Sequence, residues 1–420
     1  MEKIIIHGRK ALQGDVHISG AKNAAVAVLP ASLLIEGSCR IENLPDIKDT
    51  QVLEDTLTQL GAKVTFENRN TVLIDSSNVN SYTASYDMIK SMRASYYLLG
   101  ALLGRFGKAE VAFPGGCDFG YRPMDQHIKG FEAMGAKVVI ENGMIKLSAD
   151  KLTGSQIYLD VVSVGATINL MLAAVKAEGT TIIENAAKEP HIVDTANFLN
   201  AAGADIKGAG TDVIKIKGVP HLRGGHVHSI IPDMIEAGTF MIAGAATDGD
   251  VTVRNVIPKH LESLSAKLQE MNINVIKGED WIRVIGGNEI QKANIKTLPY
   301  PGFATDLHPP VTVLLCLANG SSTITESIWP LRFQYVNELV RMGAKIRVDG
   351  GGLAVIDGPV SLVGAQVNAI DLRAGAAVVV AGLAADGTTV VNNVKYIDRG
   401  YEDFVGKLRK LGADIARISE

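Results

Sequence analysis

Apolar and polar positions along this chain sort into two kinds of helical stretch, and the pair recurs. One kind is apolar almost all round, at 24–37, 94–107, 166–179, 235–249, 311–320 and 374–387. A helix that is apolar on every side is stable only when buried. Each such run ends in Gly or Asn-Gly and passes into a short β-rich stretch, such as Thr180-Thr181-Ile182-Ile183 or Asp250-Val251-Thr252-Val253, which reads as a strand. The other kind, as at 49–60 and 404–411, mixes charges with apolar residues three and four apart, which predicts an outer helix.

A second phrase marks the repeat. Leu60-Gly61-Ala62, Met134-Gly135-Ala136, Ala202-Gly203-Ala204, Met342-Gly343-Ala344 and Leu411-Gly412-Ala413 each close an outer helix and open a strand. A degenerate copy, Met271-Asn272-Ile273, fills the gap, so the phrase returns about every 70 residues. Glycine suits the left-handed C-cap of a helix, and asparagine tolerates it, so Asn272 is expected to cap its copy. One unit is therefore strand, strand, buried helix, strand, outer helix, strand. Six such units exclude a doubly wound sheet, and no GxGxxG follows a strand. The expected fold class is α/β (α+β), with two pseudo-threefold domains of three units and the helices inside.

Polar residues gather where the buried helices should begin: Ser19-Gly20-Ala21-Lys22-Asn23, Ser91-Met92-Arg93, Ser163-Val164-Gly165-Ala166-Thr167, Pro232-Asp233, Thr305-Asp306-Leu307-His308 and Asp371-Leu372-Arg373. Ser and Asp are N-cap types. Lys22, Arg93 and Arg373 are not, because a cation at a helix N-terminus has the unfavourable sign. With free backbone N–H groups, such cations form a cradle for an anion. Arg122, Arg332 and Arg399 each follow the strand after a buried helix and extend that cradle. The ligand this implies carries several negative charges.

Bulk composition narrows the class. The 420 residues are 47% hydrophobic and 20% charged, as in a folded multi-domain protein. A net charge of −4 without any basic run disfavours a nucleic-acid partner. Three cysteines (Cys39, Cys117, Cys316) with no CxxC pair argue against a disulfide framework and a zinc site. The amino terminus lacks a signal peptide's apolar core, and the run from Ala24 to Ile35 is too short to span a bilayer. A reduced, cytoplasmic protein is expected. Cys117 lies in Phe113-Pro114-Gly115-Gly116-Cys117-Asp118-Phe119-Gly120-Tyr121-Arg122-Pro123, where Gly and Pro disfavour regular structure. This reads as a loop carrying a thiol beside a cation.

These residues together resemble the UDP-N-acetylglucosamine 1-carboxyvinyltransferases, enolpyruvyl transferases of the EPSP synthase superfamily. The resemblance covers essentially the whole chain. It rests on Gly20-Ala21-Lys22-Asn23-Ala24, Pro114-Gly115-Gly116-Cys117, Gly120-Tyr121-Arg122-Pro123, Ser163-Val164-Gly165-Ala166-Thr167, Thr305-Asp306 and Asp398-Arg399-Gly400-Tyr401. It implies a two-domain inside-out α/β barrel of six βαβαββ repeats, with the active site in the cleft between domains. The first domain would run over 22–229 and carry the Cys117 loop, and the second would combine 1–21 with 230–420.

The reaction implied is transfer of the enolpyruvyl group of phosphoenolpyruvate to the 3-hydroxyl of UDP-N-acetylglucosamine, through a tetrahedral ketal, in peptidoglycan synthesis. Lys22, Asn23, Arg122 and Arg399 are expected to bind phosphoenolpyruvate. Cys117 is expected to protonate its methylene carbon, and Asp306 to act as base toward the sugar hydroxyl. Arg93, Arg122, Pro123, Met124, Asp125, Gln126, Ser163, Val164, Asp306 and the backbone near Ile328 are expected to hold the UDP-sugar, with Arg332 and Arg373 as further members of the site. Sensitivity of the thiol to the epoxide fosfomycin follows from the same resemblance, and no metal or organic cofactor is implied. Val161 stands where the family often has lysine, which puts one nucleotide contact in doubt.

Other readings stay open at this point. A shikimate-pathway enolpyruvyl transferase would share the fold, but Cys117 and the Arg122–Gln126 run argue against it. A catalytically silent UDP-sugar sensor is opposed by the joint presence of Lys22, Cys117, Asp306 and Arg399. His127 could serve a nucleophilic Cys117 but fits a packing or surface residue better, and His226-Val227-His228 offers two imidazoles on one strand face without a third ligand nearby.

Overall fold

A computed structural model describes residues 2–89, 94–113 and 124–419. Contacts divide the chain into two compact units, one of Met1–Ser19 with Pro232–Glu420 and one of Gly20–Ile231. Each unit has its own continuous apolar core.

Six four-stranded sheets share one plan. The strand that follows a buried helix lies second in its sheet, parallel to one short edge strand and antiparallel to its other neighbour. In the Gly20–Ile231 unit the buried helices are Lys22–Ala31, Tyr97–Phe106 and Val164–Ala174. In the other unit they are Met234–Ala246, His308–Leu317 and Leu372–Ala384. Every residue of Leu372–Ala384 is buried, which matches its lack of a polar face. Small residues let these helices approach closely. A Cβ at Gly100 would stand 2.2 Å from the Asn169 carbonyl oxygen of the neighbouring helix.

The helix ends behave as their residue types require. Gly61, Gly135, Gly203, Gly343 and Gly412 all have φ between 90° and 105°, and Asn272 takes the same left-handed region at φ 66°. Ser163, Asp233 and Asp371 cap their helices through side-chain oxygens. Ser19 does not: the helix begins at Lys22 after Ala21, with no side-chain cap. The first buried run is also shorter than its apolar pattern, since Pro30 precedes a change to a 3-10 turn at Ser32–Leu34.

Two strands change partners where the chain crosses between units. Gln13–His17 precedes the helix Lys22–Ala31 but pairs in parallel with Asp250–Arg254. Val227–Ser229 precedes the helix Met234–Ala246 but pairs in parallel with Ser38–Glu42. Each unit therefore completes one sheet with a strand from the far side of a crossing. The crossings are bonded on either side: Asp233 N donates to the Ser19 carbonyl at 2.9 Å, and Ala21 N donates to the Ile231 carbonyl at 2.7 Å. The sixth sheet closes similarly, with Glu2–His7 between Thr388–Asn392 and Asp414–Ser419.

Candidate active site

In the Gly20–Ile231 unit, Gly20 can only be glycine, because a Cβ there would lie 1.8 Å from the Asn43 carbonyl oxygen. Two residues on, Lys22 is the first residue of its helix. Its ammonium is not a bare cation at a helix end. Lys22 Nζ lies 3.0 Å from Asp49 Oδ2, and the two side chains are 12% and 3% exposed. Asp49 occupies the first turn of the outer helix Lys48–Gln59 and is buried. Asn23 is half-buried beside Lys22.

Met124 and Gln126 are buried and Asp125 is exposed. Gln126 holds the turn at Asp160, accepting from Asp160 N at 2.8 Å and donating to Asp160 Oδ2 at 3.1 Å. That turn leads to Ser163, whose Oγ accepts from Ala166 N at 3.2 Å, and to half-buried Val164. Val161 between them is 57% exposed. Gly165 gives way to the imidazole of His127, since a Cβ would lie 3.1 Å from Nε2. His127 is buried, with Nδ1 3.0 Å from Asn169 Nδ2, and serves packing. Arg93, Cys117, Arg122 and Pro123 lie outside the described residues.

The other unit brings together three residues of the expected site. Asp306, in the 3-10 turn before the helix His308–Leu317, accepts from Arg332 Nη2 at 2.9 Å through Oδ1. Its Oδ2 accepts from Arg373 Nε at 3.2 Å, and Arg373 Nη2 is also 3.2 Å away. The arginine side chains are 5% and 3% exposed and that of Asp306 is 27% exposed. Arg373, second residue of its helix, also lies 5.3 Å over the Tyr401 ring, whose hydroxyl is 2.9 Å from Thr239 Oγ1. Burial works against its charge, but Tyr401, Asp306 and Asp233 outweigh it, so the guanidinium sits above the ordinary arginine range. Arg373 Nη1 is buried with no hydrogen-bond partner among the described residues, an orphan that an anion would satisfy. Arg399 ends the 3-10 segment Val394–Arg399, half-buried and two residues before Tyr401.

Two partners in this arrangement carry no signature in the sequence. Asp49 looks like an ordinary first-turn acid, and Glu326 like a lone carboxylate at a strand end. Yet Glu326 is buried and accepts from Thr297, Thr305, His308 and the backbone of Ile328 and Trp329. Burial alone would raise its carboxyl, but these donors bring it down to about 2. Burial pushes His308 below its ordinary range against the pull of Glu326, and an Nδ1–H donates to the carboxylate whether the ring is neutral or charged.

Elsewhere, His228 Nε2 is 3.2 Å from Asp194 Oδ1, and both His226 and His228 pack on the Phe198 ring. Among the described residues no group of three or more His, Cys, Asp or Glu could hold a metal ion. No helix there is long and apolar enough to cross a membrane. Chemically, the two clusters offer compensated cations at helix ends and a carboxylate held by two guanidiniums, a pattern suited to exchanging an internal anion for a bound one.

Comparison with known proteins agrees in extent. Residues 6–408 match the family described as EPSP synthase (3-phosphoshikimate 1-carboxyvinyltransferase). UDP-N-acetylglucosamine 1-carboxyvinyltransferase 3 of Caldanaerobacter subterraneus subsp. tengcongensis is 58% identical over 420 residues, all of both chains. UDP-N-acetylglucosamine 1-carboxyvinyltransferase 2 of Clostridium acetobutylicum is 57% identical over 418 residues, 99% of each chain. Among solved structures, the enolpyruvyl transferase NikO from Streptomyces tendae superposes with a TM-score of 0.90 at 29% identity, over 100% of this chain and 99% of that one. The six small sheets and buried helices are thus the two-domain inside-out barrel, and the chain belongs to the UDP-N-acetylglucosamine 1-carboxyvinyltransferases within the wider EPSP synthase family.

Proposed function

We propose that this chain transfers the enolpyruvyl group of phosphoenolpyruvate to the 3-hydroxyl of UDP-N-acetylglucosamine, releasing phosphate, as the first committed step of peptidoglycan synthesis. The observation that carries the reading is full-length identity of 55–58% to relatives bearing that activity in their names. The two charge clusters supply the chemistry.

In this reading Asp306 takes the proton of the sugar hydroxyl, whose oxygen attacks C2 of phosphoenolpyruvate while Cys117 delivers a proton to C3. The tetrahedral ketal then loses a C3 proton and expels phosphate, restoring the enol ether. Positioned proton donors and acceptors contribute about 10²–10⁴-fold each. Lys22, Arg122 and Arg399, with Asn23, hold the phosphate and carboxylate. Arg93, the 122–126 segment, Ser163, Val164 and the backbone at Ile328 hold the UDP-sugar.

The ion pairs add a condition. Were Asp306 to gain a proton with nothing else bound, Arg332 and Arg373 would lose the counter-charge it gives them. Phosphoenolpyruvate brings several negative charges, so its arrival relieves that cost and lets Asp306 act as a base. The reaction uses two small-molecule substrates in the cytoplasm, with fosfomycin as an alkylating inhibitor of Cys117.

Phosphate release from phosphoenolpyruvate, measured separately with UDP-N-acetylglucosamine and with shikimate 3-phosphate, tests the reading. Release with the sugar nucleotide alone is expected. Release with shikimate 3-phosphate alone overturns the substrate assignment, and release with neither overturns the activity.

A further inference from the structure

Glu326 has more donors than a carboxylate ordinarily gathers. Oε1 accepts from Thr297 Oγ1 at 2.8 Å, Ile328 N at 2.8 Å and Trp329 N at 2.9 Å. Oε2 accepts from Thr305 Oγ1 at 2.9 Å and His308 Nδ1 at 2.8 Å. Two oxygens offer about four lone-pair sites, so five donors saturate them. A carboxylate so occupied has no site left to accept a proton, and its function is to hold its neighbours.

Its neighbours lead to Asp306. The Thr305 hydroxyl has one proton, which it gives to Glu326, so its oxygen is left to accept from Arg332 Nη1 at 2.7 Å. The other end of that guanidinium, Nη2, reaches Asp306 Oδ1 at 2.9 Å. Glu326 also anchors the backbone of Ile328 and Trp329, just before the 3-10 segment Pro330–Tyr335 that carries Arg332. One buried carboxylate thus fixes Arg332 twice, through the chain that delivers it and through the hydroxyl that receives it.

We propose that Glu326 is a positioning residue for the transfer reaction, acting through Thr305 and Arg332 to set the orientation of Asp306. The proposal rests on the reading of Asp306 as the base. The relay has a direction: Arg332 donates to Thr305, Thr305 donates to Glu326, and nothing in it can be reversed while Glu326 is ionised. Glu326→Gln breaks that direction. Its amide oxygen can still serve the two backbone N–H groups, but its NH2 then faces the Thr305 hydroxyl as a second donor. Thr305→Val removes the relay and leaves Glu326 in place, whereas Thr305→Ser keeps the hydroxyl.

The test is steady-state phosphate release by the full chain with phosphoenolpyruvate and UDP-N-acetylglucosamine, alongside Asp306→Asn. E326Q and T305V are each expected to lower kcat about tenfold or more, with both KM values within about threefold, because the fault is one of orientation. The double variant should be no slower than the worse single variant, since both cut one relay. T305S should recover kcat to within about threefold of wild type. If E326Q fails to fold, T305V against T305S decides. T305V at wild-type rate with D306N inactive overturns the proposal alone, as do E326Q and T305V effects that multiply. D306N at wild-type rate overturns the base reading and the proposal with it.

Discussion

Asp306→Asn separates the electrostatic role of this residue from its chemical one. Asn has a single acceptor oxygen, so it can serve Arg332 or Arg373 but not both, and it supplies no counter-charge to either. Removing one partner of a buried ion pair costs about 3–5 kcal/mol. Because the Asp306 side chain is 27% exposed, solvent screens part of this, leaving about 2–4 kcal/mol. In a unit of roughly 200 residues each kcal/mol moves the midpoint about 2–4 °C, so calorimetry should show a fall of about 4–16 °C. The same variant should lose about 10²–10⁴-fold in kcat. Inorganic phosphate should raise the midpoint of the variant more than that of wild type, because an anion can take the vacated place between the guanidiniums. At about 100 times its dissociation constant it would restore about 2.7 kcal/mol. A midpoint within about 1 °C of wild type, with no extra response to phosphate, would refute the argument that these arginines depend on Asp306.

Three further outcomes are expected. Glu54 is buried, and desolvation, followed by Asp46 and Asp55, pushes its carboxyl from 4.5 up to about 7. A raised carboxyl contributes stability that is whole below its unfolded value and is lost as pH rises through about 7, about 3 kcal/mol in all. Glu54→Gln should therefore unfold at higher denaturant than wild type near about pH 8 and level with it near pH 4.5, and an equal gap at both would sink the argument. Cys39 and Cys316 are buried, which pushes each thiol up to about 12. Native protein should take up about one equivalent of maleimide, at Cys117, and C117S none. C117S should also lose most activity while C39S and C316S keep it, and native labelling of Cys39 would contradict its burial. Gly20→Ala forces a Cβ to within 1.8 Å of the Asn43 carbonyl oxygen, which is backbone and cannot rotate away. A loss of about 2 kcal/mol or more in denaturant unfolding is expected, and wild-type stability would mean that the crossing can shift.

Much of the fold is legible in the chain because burial and backbone torsion are local properties. The apolar helices are buried where the pattern is apolar all round, and Leu372–Ala384 is buried at every position. The left-handed caps fall on the repeated glycines, and on Asn272 where glycine is missing, because few residues tolerate that torsion. Lys22 and Arg373 stand out at helix starts by the sign of their charge.

Pairing between distant segments is a different kind of information. Nothing in Gln13–His17 distinguishes the strand it will join, and it leaves its own repeat for Asp250–Arg254 because the chain crosses at residue 20. Asp49 neutralises Lys22 from the next helix. Arg332 and Arg373 meet Asp306 from 26 and 67 residues away. Glu326 gathers donors from Thr297 and from Thr305 and His308, which only folding makes its neighbours. Residue type tells whether a position prefers water, a cap or the core, because those preferences are settled within a turn or two. Which charge compensates which depends on where helix ends converge, and that is a property of the packed unit.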